Sequence, residues 1–219
     1  MERDDVVITR GLPGHLREAG AGLFDEAFGD KLHMAVPDRD RRVAYLARVL
    51  DGDHAAAAIR GAELVGMIGL SSRAGPYRGG LLDIPWDPRP FRDLLGFVGA
   101  VRASLGLRFA EHRPADGELY VDGVAVSPAV RGQGIGSRLL VEAEVIAREC
   151  GMRWLRLDVI DSNPRAQALY ERLGYRVTRV EKTHWMERRN GFGAIISMER
   201  AVDQDASAQP GTPDLSREV

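Results

Sequence analysis

The chain has 219 residues, 44% hydrophobic and 28% charged, with a net charge of −2 and one cysteine. That length suffices for one large domain or two small ones with a sizeable core. The dispersed, near-neutral charge supplies no basic field for nucleic acid or an anionic membrane, and a single cysteine excludes an intramolecular disulfide.

The N-terminal MERDDVVITR is acidic and lacks an apolar core, so it does not read as a signal peptide. VVITRGL (6–12) reads as an opening strand, with Pro13 suited to a first helical position. Residues 13–32 carry a helical pattern, with Leu16, Leu23, Phe24, Ala27 and Phe28 on one side, and a second helix runs from about Arg41 to Leu50. Residues 54–60 and 63–71 form a hairpin around Gly61. Gly- and Pro-rich residues 73–90 form a loop. The apolar stretch 91–109 carries Arg92, Asp93, Arg102 and Arg108, too many charges for a bilayer span and suited to an amphipathic helix. A further polar loop then completes an excursion over 73–116.

ELYVDGVAV (118–126) reads as a strand, and the helix after it ends near Glu149, stopped by Gly151. Its apolar face consists of Ile135, Leu139, Ala143 and Ile146, with Cys150 in line as a small buried hydrophobe. A strand at 153–160, a helix at 164–173 closed by Gly174, and strands near 175–185 and 192–200 complete the pattern. Residues 201–219 are polar and read as a disordered tail. The expectation is a single α/β (α+β) domain over 1–200. Its mixed central sheet has about seven strands flanked by helices, with a helical insertion before the central strand. His15, His33, His54, His112 and His184 are scattered without ligand spacing, so no metal site is expected. A cytoplasmic location is expected.

SPAVRGQGIGSRLL (127–140) opens a well-patterned helix with Gly132, Gly134 and Gly136, each about 1 kcal/mol worse than Ala inside a helix. Helix N-termini leave N–H groups without internal partners and carry partial positive charge, so an anion satisfies both. Glycines let a phosphate approach the backbone, with Arg131 and Arg138 nearby for charge. The Rossmann spacing fails at Ser137, and the P-loop pattern fails because no Lys follows.

Arg131-Gly132-Gln133-Gly134-Ile135-Gly136 instead resembles the acetyl-CoA pyrophosphate motif of the GNAT N-acetyltransferase superfamily, Q/R-x-x-G-x-G/A after a central strand. NPRAQALYERLGY (163–175) is similar to that family's later segment, N-x-x-A-x-x-L-Y-x-x-L-G-[FY]. The resemblance is close over 118–176. It implies an N-acetyltransferase in which a primary amine attacks acetyl-CoA directly in a ternary complex, the acceptor being a small molecule or a protein amine. Backbone along Val124, Ala125 and Val126 would hold the pantetheine arm, with the Val124 N–H polarising the acetyl carbonyl. Arg131, Gly132, Gln133, Gly134, Gly136 and Ser137 would hold the pyrophosphate, and Asn163 would touch the cofactor arm. Tyr170 matches the tyrosine beside the CoA sulfur, against its plain reading as one of an apolar stripe with Ala166, Leu169 and Leu173.

In a regular strand, Glu118, Tyr120, Asp122, Val124 and Val126 share one face, and a bulge at Gly123 would change that. Asp122 leads as the base that takes the amine proton, followed by Glu118 and by Asp158 on the next strand, with loss of the proton through water as the other route. The 73–116 excursion would cover the acceptor cleft or form a homodimer surface. A non-catalytic acyl-CoA-binding or sensing module is the alternative function, and another nucleotide on the same loop is a third.

Overall fold

A computed structural model describes residues 6–33, 36–82, 92–96, 98–100, 114–182 and 191–203. The strands are β1 (Val6–Arg10), β2 (Ala55–Arg60), β3 (Glu63–Ser72), β4 (Glu118–Val126), β5 (Trp154–Ile160), β6 (Arg176–Lys182) and β7 (Ala194–Ala201). They form one seven-stranded sheet in the order β1-β2-β3-β4-β5-β7-β6. Only β4 and β5 pair in parallel; every other neighbouring pair is antiparallel. A parallel pair needs a crossover, and α3 (Ile135–Glu149) supplies it. The other helices are α1 (Arg17–Leu32), α2 (Arg39–Val49) and α4 (Pro164–Arg172). The mixed sheet flanked by helices is thus as the sequence pattern predicts.

Alternation along the strands divides the core into two layers. Leu119, Val121, Leu155, Leu157 and Val159 pack with Ile135, Leu139, Ala143 and Ile146 of α3 and with Tyr170 of α4. Ala55, Ala57, Met67 and Ala125 face Leu23 and Phe24 of α1 and Tyr45, Leu46 and Val49 of α2. Leu139 is fully buried, so truncating it to Ala costs about 2–5 kcal/mol.

The expected α1 stripe needs correction. Leu23 and Phe24 are buried, but Ala27 is exposed, and Ala21, Asp25 and Gly29 face inward. The inner face is therefore partly polar, because Asp25 is the buried partner of Arg42. Arg42 Nη1 also donates to Val36 O at 2.8 Å and Pro37 O at 3.2 Å, fixing the turn between α1 and α2. Cys150 is half-buried at the end of α3 rather than fully enclosed, and burial pushes its thiol pKa up.

Of the 73–116 excursion, residues 92–96 and 98–100 are helical. Ala100 is buried in the α1–α2 layer, Leu94 and Leu95 pack against it, and Arg48 pairs with Asp93 at 3.2 Å. The remainder of the expected 91–109 helix, the end of the 175–185 strand, and tail residues 204–219 lie outside the described residues. No described helix is long and apolar enough to cross a membrane.

Candidate functional site

After β4 the chain makes one 3-10 turn, Pro128–Val130, and enters the glycine run. Gly132 and Gly134 have φ of 79° and 81°, a left-handed conformation that favours glycine. A Cβ built on either would meet no atom within 4 Å. These glycines are therefore required by backbone conformation, and the space above them is open. Gly134 caps α3, its carbonyl accepting from the Arg138 N–H at 3.1 Å. The N–H groups of Gly134, Ile135, Gly136 and Ser137 find no acceptor among the described residues. This is the donor array an anion at a helix N-terminus uses. Gly136 has an ordinary helical φ, and a Cβ there would sit 3.6 Å from Leu169 Cδ2.

Three arginines surround the loop. Arg131 Nε donates to Val126 O at 3.1 Å, and Arg138 Nη2 donates to Val6 O at 2.6 Å. Arg60, at the end of β2, donates from Nη2 to Gln133 Oε1 at 2.8 Å, while its buried Nε has no partner among the described residues. Sequence reasoning missed Arg60, since nothing local ties a residue in the first hairpin to a loop more than 70 positions away.

Pairing between β4 and β5 covers only Glu118–Val121 against Trp154–Leu157. Beyond that the strands part: β4 continues beside β3 to Val126, and β5 beside β7 to Ile160. The Ser127 N–H donates to Val65 O at 3.0 Å. Antiparallel pairs alternate in hydrogen bonding, so Ala125 likewise turns its backbone toward β3, whereas Val124 and Val126 turn N–H and C=O toward the gap. Of the expected strand residues, Val124 and Val126 thus present backbone to the opening, and Ala125 does not.

The shared face expected for Glu118, Tyr120, Asp122, Val124 and Val126 is overturned by a bulge. Gly69 pairs with Gly123 and Leu70 with Val121, leaving Asp122 as the extra residue. Asp122 therefore stays on the face of Glu118 and Tyr120, together with Gly123, where an added Cβ would meet the Phe28 ring at 2.7 Å. Val124 and Val126 turn to the α3 face with Leu119 and Val121.

The face opposite α3 holds the carboxylates. Asp122 Oδ1 accepts from Ser71 Oγ at 2.7 Å, and its Oδ2 accepts from the Leu81 N–H at 2.8 Å. That pins the 73–82 loop to the bulge. His54 braces the same loop, with Nδ1 2.9 Å from Gly80 O and Nε2 3.1 Å from Pro76 O. Glu118 is buried and pairs with Arg156 at 3.2 Å. Asp158 is exposed on β5, on the same face as the buried Tyr120 and close enough to act on its hydroxyl. Burial, Asp158, Asp122 and Glu118 together push the Tyr120 phenol pKa strongly upward, so it stays protonated.

Tyr170 lies on the other face, buried in the α3 layer with its ring centroid 5.9 Å from that of Tyr175. Its hydroxyl has no hydrogen-bond partner among the described residues, and burial pushes its pKa up to about 12. Asn163 caps α4, its Oδ1 accepting from the Ala166 N–H at 3.2 Å. The loop, the strand gap and Tyr170 thus adjoin one layer, and the carboxylates lie across the sheet. Among the described residues no group of three or more His, Cys, Asp or Glu could hold a metal ion.

The bovine (Bos taurus) thialysine N-epsilon-acetyltransferase is 40% identical over 67 residues, 30% of this chain and 39% of the relative. The match thus spans about two fifths of that relative's length. The fold matches an N-acetyltransferase from Staphylococcus aureus Mu50 with a TM-score of 0.61 and 16% identity, over 89% of this chain and 100% of that one. It also matches a Salmonella typhimurium structure described with its cofactor acetyl-CoA, with a TM-score of 0.54 and 15% identity, over 94% and 99% of the two chains. A sequence model of the acetyltransferase (GNAT) family matches residues 23–175, well over half of the chain, and the chain belongs to that family.

Proposed function

We propose that the protein is an acetyl-CoA-dependent N-acetyltransferase acting on a primary amine in a ternary complex. The observation that carries this reading is the junction of two features at the end of β4: a helix N-terminus with four N–H groups that find no acceptor among the described residues, and a strand edge freed by the parting of β4 from β5. A pyrophosphate fits the first, and an extended amide-bearing arm fits the second as an added strand would. Family membership and the acetyl-CoA described with a fold relative support the same ligand.

Acetyl-CoA, when bound, supplies an acyl group activated as a thioester. The chain's residues do the rest. Gly132, Gly134, Gly136 and Ser137 present backbone to the pyrophosphate, with Arg131 and Gln133 beside them, and Asn163 flanks the arm. Val124 and Val126 align the arm, and the Val124 N–H donates toward the acetyl carbonyl, where negative charge develops. Tyr170 donates a hydrogen bond at the sulfur. Burial keeps its phenol protonated, so Tyr170 meets the departing thiolate as a hydrogen-bond donor. A carboxylate across the sheet takes the proton from the amine, Asp122, Glu118 and Asp158 being the candidates.

The reading carries one catalytic domain over 1–200, with 201–219 as a tail, in a cytoplasmic setting. The acceptor is an amine of a small molecule or a protein. A thiol-release assay with acetyl-CoA and a panel of amines, including thialysine, lysine and peptides with free N-termini, tests it. Release with at least one amine is expected. Acetyl-CoA binding without release across the panel would favour a non-catalytic acyl-CoA sensor, and no acetyl-CoA binding at all would overturn both.

A further inference from the structure

The three carboxylates on the acceptor side of the sheet are not equivalent, and their surroundings separate them. Both oxygens of Asp122 already accept protein hydrogen bonds, one from Ser71 Oγ and one from the Leu81 N–H. That arrangement makes Asp122 the rivet between the bulge of β4 and the 73–82 loop. Glu118 is 2% exposed and engaged by Arg156, which also bridges to Glu199. Asp158 differs from both: it is exposed, and it shares its face of the sheet with the nearby Tyr120 phenol.

Its position matters as much as its exposure. Leu157 is the last β5 residue paired with β4, so Asp158 is the first residue past the point where the strands part. Leu157 and Val159 point into the α3 layer that holds Tyr170, and Asp158 alternates to the opposite face. A carboxylate on one side of the gap and a phenol on the other suit a transfer in which the amine enters from one face and the thiolate departs toward the other.

We propose that Asp158 is the proton acceptor of the reaction and that Tyr120 is its positioning residue, with Asp122 serving the loop rather than the chemistry. This rests on the acetyltransferase reading above. The amine enters neutral, having released one proton to solvent. As its lone pair forms the C–N bond, the nitrogen becomes strongly acidic and its proton passes to the Asp158 carboxylate. The C–S bond breaks, the electron pair leaves on sulfur, and the thiolate recovers a proton from solvent or from Asp158. The Tyr120 hydroxyl donates to one carboxylate oxygen and leaves the other directed at the amine. Around Asp158 stand Tyr120 of β4, itself close to Asp122 and Glu118, Arg156 two positions back on the same face of β5, and Ser197 opposite it on β7.

The test uses the amine that wild-type protein acetylates fastest in the thiol-release panel. Asp158→Asn is expected to lower kcat about 100-fold with the KM for acetyl-CoA unchanged, and Tyr120→Phe about tenfold with the same KM. Because Tyr120 acts through Asp158, the double variant should be no slower than Asp158→Asn alone. A purely structural role for Tyr120 would make the losses multiply, which overturns the pairing. An Asp158→Asn variant with at least half the wild-type kcat, or an Asp122→Asn variant that loses kcat instead, overturns the assignment of the base. Thermal melts and acetyl-CoA binding of each variant separate misfolding from lost chemistry. Wild-type protein that turns over no amine contradicts the acetyltransferase reading, not this choice among carboxylates.

Discussion

Two alanine substitutions two residues apart should behave in opposite ways. Gly134 sits at φ 81°, where an L side chain meets its own backbone. Placing Ala there costs about 1–2 kcal/mol, although beyond its chain neighbours the new methyl meets no atom within 4 Å. Gly136 has helical φ, and its added methyl makes ordinary contacts at 3.6 Å with Leu169 and 3.8 Å with Val126. Exchanging Gly for Ala inside a helix gains up to about 1 kcal/mol. For a chain of this size each kcal/mol moves Tm by about 2–4 °C. Gly134→Ala should therefore melt about 2–8 °C lower and Gly136→Ala up to about 4 °C higher. Calorimetric titration of acetyl-CoA should show the first losing at least tenfold in affinity, because its methyl fills the open side of the cradle. The second should stay within about threefold, in keeping with the G/A allowance at that place in the motif. Gly134→Ala with unchanged affinity, or Gly136→Ala melting below wild type, would refute the reasoning.

Tyr170→Phe removes a hydroxyl that no described residue bonds, so Tm should hardly move while kcat falls further than the KM for acetyl-CoA rises. The same residue shapes alkaline stability. Its folded pKa of about 12 exceeds the ordinary value of 10, so the unfolded chain ionises first. Stability is intact below pH 10 and is lost as pH rises to 12, by roughly 3 kcal/mol from this group; denaturant melts of Tyr170→Phe should show a correspondingly shallower decline. Arg42→Ala leaves Asp25 buried, with Arg39 at 3.4 Å as its remaining cation. Urea unfolding should report a loss of about 3–5 kcal/mol.

The order of elements was readable in the sequence because periodicity and glycine punctuation carry it. β4 spans Glu118–Val126 and α3 ends at Glu149, as patterning alone places them. The glycine loop was legible for the same reason, its spacing being local. Residues that act across the fold were not. A two-residue period cannot register one inserted residue, so the bulge at Asp122 moved Val124 and Val126 to the other face. The engagement of Asp122 by Ser71 and Leu81, and of Gln133 by Arg60, joins segments far apart in the chain. The α1 stripe failed at Ala27 because Asp25 is held inside by an arginine on another helix.

Amide hydrogen exchange with and without acetyl-CoA tests the central claim most directly, since that claim concerns particular N–H groups. Val124, Val126, Gly134, Ile135, Gly136 and Ser137 should slow markedly on addition of acetyl-CoA, and those of the exposed edge strand β6 should not. Unchanged exchange at these six amides under saturating acetyl-CoA, or protection confined to another part of the sheet, would contradict the account.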